Sequence, residues 1–174
     1  MPLLLRMVRN SRWFPDETPR WLEEGEFQAD ALVDLETDDN KLSVWLIDED
    51  SSNLPRVIAA MAAHRKSACP FDYALFRDRL VAEIGTRIEK SLGDSEDDEA
   101  NRLWHRDLVE LSASKVMALA KVIFDSNGTN RCWRKDVVQL IVESVALKQI
   151  ELDKLQPSLK STIEKKIPAA GSND

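Results

Sequence analysis

The 174-residue chain is 43% hydrophobic and 32% charged, with two cysteines and a net charge of −7, a composition expected of one compact soluble domain with a proper core. Its apolar runs fall well short of the roughly 18–20 residues of a membrane span, and two thiols do not make a disulfide framework. Charge position says more than its sum: residues 1–15 carry +3, residues 16–50 hold thirteen acids against Arg20 and Lys41, and the remaining 124 residues hold 19 basic and 18 acidic side chains.

The opening "MPLLLRMVRN" has three leucines and then Arg6, too short for a signal-peptide core and without a small-residue cleavage site, so the expected location is cytoplasmic. Residues 3–8 read as a short strand. "WFPDETPRW" places two prolines and an acidic turn between Trp13 and Trp21, which predicts a loop or a single helical turn. From Phe27 the pattern alternates, with Phe27, Ala29, Ala31, Val33 and Leu35 on one face of a predicted strand and Gln28, Asp30 and Asp34 on the other. "ETDDNK" is turn chemistry, and Leu42 to Ile47 form the next run, so the two are expected to pair as a hairpin. Leu42, Val44 and Leu46 point one way, Trp45 and Ile47 the other, as in a central strand covered on both sides.

Ser51, Ser52 and Asn53 are good helix N-caps, and Pro55 sits in the first turn, where its missing N–H costs nothing. Leu54, Val57, Ile58 and Met61 follow at helical spacing, and four alanines make this helix thin. Asp48, Glu49 and Asp50 precede its positive end, a favourable placement worth about 0.3–1 kcal/mol at exposed positions. "FDYALFRDRLVAEIG" spaces Tyr73, Phe76, Leu80 and Ile84 as a helix stopped at Gly85. "TRIEKS" reads as a short strand or a continuation of it, and the acidic run 93–99, "GDSEDDE", as a linker.

After that run the pattern predicts helices alone. Ala100, Leu103, Trp104, Leu108 and Leu111 trace one stripe; Val116, Leu119, Ala120 and Ile123 a second; Trp133, Val137, Leu140, Ile141 and Val145 a third; Leu155, Leu159 and Ile163 a fourth. The tail from Pro168 is expected to be disordered. The predicted fold is α+β: a small, mostly antiparallel sheet with helices in the N-terminal half, packed against a helical C-terminal half. It is read as one domain over 1–167, with possible sub-lobes at 1–92 and 97–167. Cys69 and Cys132 are read as small buried hydrophobes.

Most catalytic signatures are absent. The five glycines are too scattered for a dinucleotide fingerprint or P-loop, whose backbone must approach phosphate closely. "HRDL" at 105–108 opens like a kinase catalytic loop, but Ser112 stands where that loop needs Asn. His64, Cys69, His105 and Cys132 lack the close pairing of zinc ligands, and no G-x-S-x-G supports a serine hydrolase. "NGT" at 127–129 matches a glycosylation sequon, which matters only in a secreted protein.

Three readings remain. The first is a non-enzymatic interaction protein, an accessory subunit or a neutraliser of a basic partner such as a nuclease toxin. Residues 16–50 would attract that partner, with Asp38, Asp39, Asp48, Glu49 and Asp50 at one rim and Trp13 or Trp21 as apolar anchors. The alternative is a Mg²⁺-dependent nuclease or phosphoesterase, because Pro15-Asp16, Asp34 and Asp39-x-Lys41 supply the carboxylates and lysine such chemistry requires. The third, a nucleic-acid-associated module, rests on Arg131, Arg134 and Lys135, a weak anion-binding cluster near a predicted helix start; an acidic chain with no continuous basic stripe disfavours direct nucleic-acid binding.

Overall fold

The computed structural model describes residues 2–126 and 129–167; the sequon asparagine and the tail from Pro168 lie outside the described residues. In chain order these form β1 (Leu3–Met7), a single turn α1 (Asn10–Trp13), a 3₁₀ helix (Ala29–Leu35), β2 (Leu42–Ile47), α2 (Leu54–Ala63), β3 (Phe71–Arg77), α3 (Asp78–Glu83) and β4 (Arg87–Lys90). There follow α4 (Asp98–Trp104), β5 (His105–Val109), α5 (Ala113–Asp125), β6 (Thr129–Cys132), α6 (Arg134–Ala146), a 3₁₀ turn (Leu152–Lys154) and α7 (Pro157–Glu164). The fold is α+β, with strand order β4-β5-β2-β1-β3-β6. The pairs β1–β2, β1–β3, β2–β5 and β4–β5 are antiparallel. No helix among the described residues is long and apolar enough to cross a membrane.

The chain forms two compact units, each drawn from three segments. The first takes the residues up to Ser52, Asp72–Leu92 and Trp104–Arg131; the second takes Asn53–Phe71, Gly93–Leu103 and the residues from Cys132 onward.

In the first unit the antiparallel register lines up Leu4 with Leu46 and Phe76, and Leu42 with Leu108, so these side chains share one sheet face. That face closes on Leu119, Ala120 and Ile123 of α5, on Ala31 and Leu35 of the 3₁₀ helix and on Trp13 of α1. Each fully buried Leu or Ile here contributes about 1.5–3 kcal/mol. On the opposite face Leu5, Trp45 and Ile47 are buried as well, as the apolar second face of β2 predicted. β2 is entered through a tight turn in which Asp38 and Lys41 exchange backbone hydrogen bonds of 3.0 and 2.9 Å. Asp39 and Asn40 there hold left-handed φ values of 47° and 57°, tolerated by Asp and Asn more readily than by other L-residues.

Four local expectations are corrected. Residues 29–35 form a 3₁₀ helix rather than a strand: Ala31 and Leu35 are buried while Ala29 and Val33 point outward. No hairpin therefore joins 27–35 to β2, whose neighbours are β1 and β5. Residues 71–77 are a strand, and the helix begins at Asp78; it ends, as expected, at Gly85, whose φ is 72°. The second half is not purely helical, because His105–Val109 and Thr129–Cys132 join the sheet.

In the second unit α2 packs against α6, and α6 against α7. The alanines of α2 are buried with Val57 and Ile58. Residues 93–99 lead into α4, and Asp97 caps that helix by accepting the N–H groups of Glu99 and Ala100 at 3.1 and 2.9 Å. Asp97 is 1% exposed, and its charge is met by a two-pronged hydrogen bond from Arg56 at 2.6 and 3.0 Å. Hydrogen bonding to Asp97, and then to Glu99, raises the Arg56 pKa against the opposing effect of burial.

Candidate functional site

The loop between α1 and the 3₁₀ helix is shaped by two reverse turns. The Leu22 N–H reaches the Pro19 carbonyl at 3.0 Å, and the Glu26 N–H reaches that of Glu23 at 3.2 Å. Gly25 occupies the third position of the second turn at φ 83°, a conformation that favours glycine. Lys121 of α5 donates to the Gly25 carbonyl and pairs with Asp125, so this cation is engaged within the fold.

Below the loop lies an aromatic floor. Trp13 stacks on Phe27 at 5.7 Å, Phe14 on Phe124 at 5.4 Å, and Phe27 meets Phe124 at 5.6 Å. Two hollows open beside it, divided by a wall of Leu22, Gly25 and Glu26 that lines both. One, of about 480 Å³, is backed by Trp13, Phe14, Pro15 and Phe124 and edged by Glu23 and Glu24. The other, of about 460 Å³, is lined by Trp21, Phe27, Leu32 and Met117. Trp21 is 70% exposed and Met117 47%, while Glu23, Glu24 and Glu26 all face solvent. The result is an apolar groove with an acidic edge.

Trp13 does not join Trp21 as an exposed anchor. It is 1% exposed and donates its indole N–H to Asp34 at 2.9 Å. Asp34 is also held by Arg12 at 2.6 Å and by the Arg9 backbone N–H at 2.7 Å, and its backbone carbonyl accepts from Arg6 at 2.9 Å. Burial lowers the Arg6 pKa, and the Asp34 charge opposes that shift. Asp34 is thus tied into the fold by the cations of the first strand and turn. Asp39 and Lys41 belong to the tight turn before β2, and Asp16 is exposed in the loop after α1. Among the described residues, no three His, Cys, Asp or Glu side chains gather as a set able to hold a metal ion.

The acidic rim expected from Asp38, Asp39, Asp48, Glu49 and Asp50 is split. The first two precede β2 and the last three follow it, so the six residues of that strand hold them about 20 Å apart. At the far end the Ser52 N–H bonds to Asp50 at 3.0 Å; this bond, with one from the Ser52 hydroxyl, lowers the Asp50 pKa.

The basic cluster is divided too. Arg131 lies in β6, where its guanidinium makes two hydrogen bonds to Asp72 at 2.7 and 2.9 Å. Those bonds raise the Arg131 pKa. Arg134 begins α6 and donates to the Ala68 carbonyl at 3.1 Å, and Lys135 is exposed. The Arg131 guanidinium is thus engaged within the fold, and Arg134 commits its Nε–H to the backbone.

"HRDL" lies on β5, not on a helix. His105 is buried, shares a 2.8 Å hydrogen bond with the Ser91 hydroxyl and sets its edge against Trp45, while Asp107 accepts from Ser43 at 3.3 Å. Cys69 and Cys132 are free thiols, half-buried rather than fully buried. Burial, then the Asp136 carboxylate, pushes the Cys132 thiol pKa up, away from the thiolate that reactive cysteines use.

Phe14, Leu22, Met117 and Phe124 are site residues that sequence reasoning missed; Glu23, Glu24 and Glu26 fell within the acidic segment 16–50 but were not singled out in it. A sequence signal existed in "WLEEGEF", a glycine turn carrying three acids between apolar anchors. Fold and site together define an α+β protein with an acid-edged apolar groove beside its sheet unit. Comparison with family models, with curated proteins and with solved structures finds no match.

Proposed function

We propose that this chain is a non-enzymatic, cytoplasmic interaction protein, an accessory subunit or a neutraliser of a basic partner such as a nuclease toxin. The observation that carries the reading is the meeting, on one loop, of a tryptophan 70% exposed with three exposed glutamates and an apolar groove. Exposed aromatics that gain a pocket on binding are the residues from which interfaces draw most of their affinity, often 2 kcal/mol or more each. The surrounding carboxylates steer a basic surface toward the groove and repel phosphate backbones. Two half-buried free thiols accord with a reducing compartment.

The test is retention of host proteins on the immobilised chain at low salt, eluted by rising salt. It is run beside a variant carrying Asp16→Asn, Glu23→Gln, Glu24→Gln, Glu26→Gln and Asp30→Asn. The reading expects a basic protein that the wild type holds and releases as screening increases, and that the variant does not hold. Retention of the same proteins by both chains overturns it.

A further inference from the structure

Resting on that reading, we infer that the two hollows beside Leu22 form one docking groove for a short basic segment of a partner protein, which inserts one bulky apolar side chain into each hollow. The hollows are separate, at about 480 and 460 Å³, each inside the range of about 300–1,000 Å³ in which proteins seat ligand groups. They share the wall of Leu22, Gly25 and Glu26, so a single segment crossing that wall reaches both. Their floors are aromatic and aliphatic, which selects apolar side chains. Glu23 and Glu24 edge the first hollow and Glu26 stands between the two, which selects lysine or arginine flanking those side chains.

Charge complementarity also rules on the occupant. The cation lining the second hollow, Lys121, is already paired with Asp125 and bonded to Gly25, so it does not offset the carboxylates for an incoming ligand. A second copy of the chain would bring its own acidic segment against this one, and an acidic lipid surface would be repelled in the same way. The elements around the groove are a loop, a 3₁₀ helix and α5, not a sheet edge, so recognition falls on side chains rather than on strand pairing. Leu22 is half-buried beside the largely exposed Trp21, which lines the second hollow and offers its ring to a side chain seated there.

The experiment uses the full chain and two synthetic peptides, one with two leucines set among lysines and arginines, the other with both leucines replaced by serine. Binding is followed by calorimetry and tryptophan emission at low and moderate salt. The wild type is expected to bind the leucine peptide at least tenfold more tightly than the serine peptide, equivalent to about 1.4 kcal/mol. Trp21→Ala and Met117→Ser should shrink that ratio toward one, and circular dichroism checks that both variants keep the fold. Glu23→Gln with Glu24→Gln and Glu26→Gln should weaken both peptides alike at least fivefold, and a variant neutralised at Asp48, Glu49 and Asp50 should leave both affinities within about twofold of the wild type; the reverse pattern overturns the inference.

Equal binding of both peptides overturns the two-hollow groove while sparing the electrostatic reading. Absence of binding by either peptide overturns both. Sedimentation of the chain alone tests the remaining occupant, and a dimer abolished by Trp21→Ala would also overturn the inference.

Discussion

Asp34→Ala separates a structural carboxylate from a catalytic one. The substitution removes the acceptor for the Trp13 indole N–H, the Arg12 guanidinium and the Arg9 backbone N–H. Trp13 is 1% exposed, so its stranded donor costs about 1–3 kcal/mol. The Arg12 side chain keeps 26% exposure and finds water, so its lost pairing is discounted to about 1 kcal/mol. The Arg9 amide bond is exposed and adds about 0.5–1 kcal/mol. The expected total is about 2.5–5 kcal/mol, equivalent to a Tm lowered by roughly 5–20 °C in a chain of this size. Thermal unfolding followed by near-ultraviolet circular dichroism, with a urea titration for the free energy, reads it directly. Asp34→Asn keeps one oxygen for Trp13 and should fall between Asp34→Ala and the wild type. If Asp34→Ala unfolds within about 1 kcal/mol of the wild type, the carboxylate is not a structural tie and the reasoning here fails.

Other substitutions probe other parts of the account. Asp97→Ala leaves the Arg56 guanidinium with Glu99 alone, at 2.7 Å, and uncaps α4, and urea unfolding should show a loss of about 2–4 kcal/mol; a loss under about 1 kcal/mol would contradict the pairing. Asn40→Ala forces an alanine into a left-handed position at φ 57° and should cost about 1–2 kcal/mol in the same assay. Because Cys132 holds its proton more tightly in the fold than in the unfolded chain, its contribution to stability is full at neutral pH and declines as pH rises past the unfolded thiol value. In a Cys69→Ser background its alkylation should therefore lag behind that of a model thiol at mildly alkaline pH, and Asp136→Asn should quicken it; mass spectrometry of the labelled peptide decides.

How much of this was legible in the sequence depended on whether the stabilising partners were local. β1, β2, the Pro55-started α2, the Gly85 stop and the stripes of α5 to α7 follow from periodicity and from proline and glycine placement within a few residues, although the Asn53 side chain makes no capping bond to α2. The segment 27–35 misled because Phe27, Ala29, Ala31, Val33 and Leu35 alternate. Its two alanines and two aspartates favour strands weakly, and the structure buries Ala31 and Leu35, four apart, as a helical turn does. In 71–77 the apolar residues occupy both strand faces, so Tyr73 and Phe76 mimic a helical step. β6 is polar apart from Cys132 and reads as loop; it is held by sheet pairing and by the Asp72–Arg131 bonds, which link residues far apart in sequence. The site was half visible. The acidity of residues 16–50 and the prominence of Trp21 could be read directly, but the chain could not say that Trp13 turns inward to Asp34, that β2 holds Asp38 and Asp50 apart, or that Phe124 completes the groove.

Backbone amide exchange of the chain, measured free and then bound to the basic protein it retains, locates the docking surface residue by residue. A partner seated in the groove slows exchange at residues 19–33 and along α5 and leaves the turn before β2 and the β4 edge unchanged. Protection confined to the segment after β2, to β4 or to the second unit would contradict that placement.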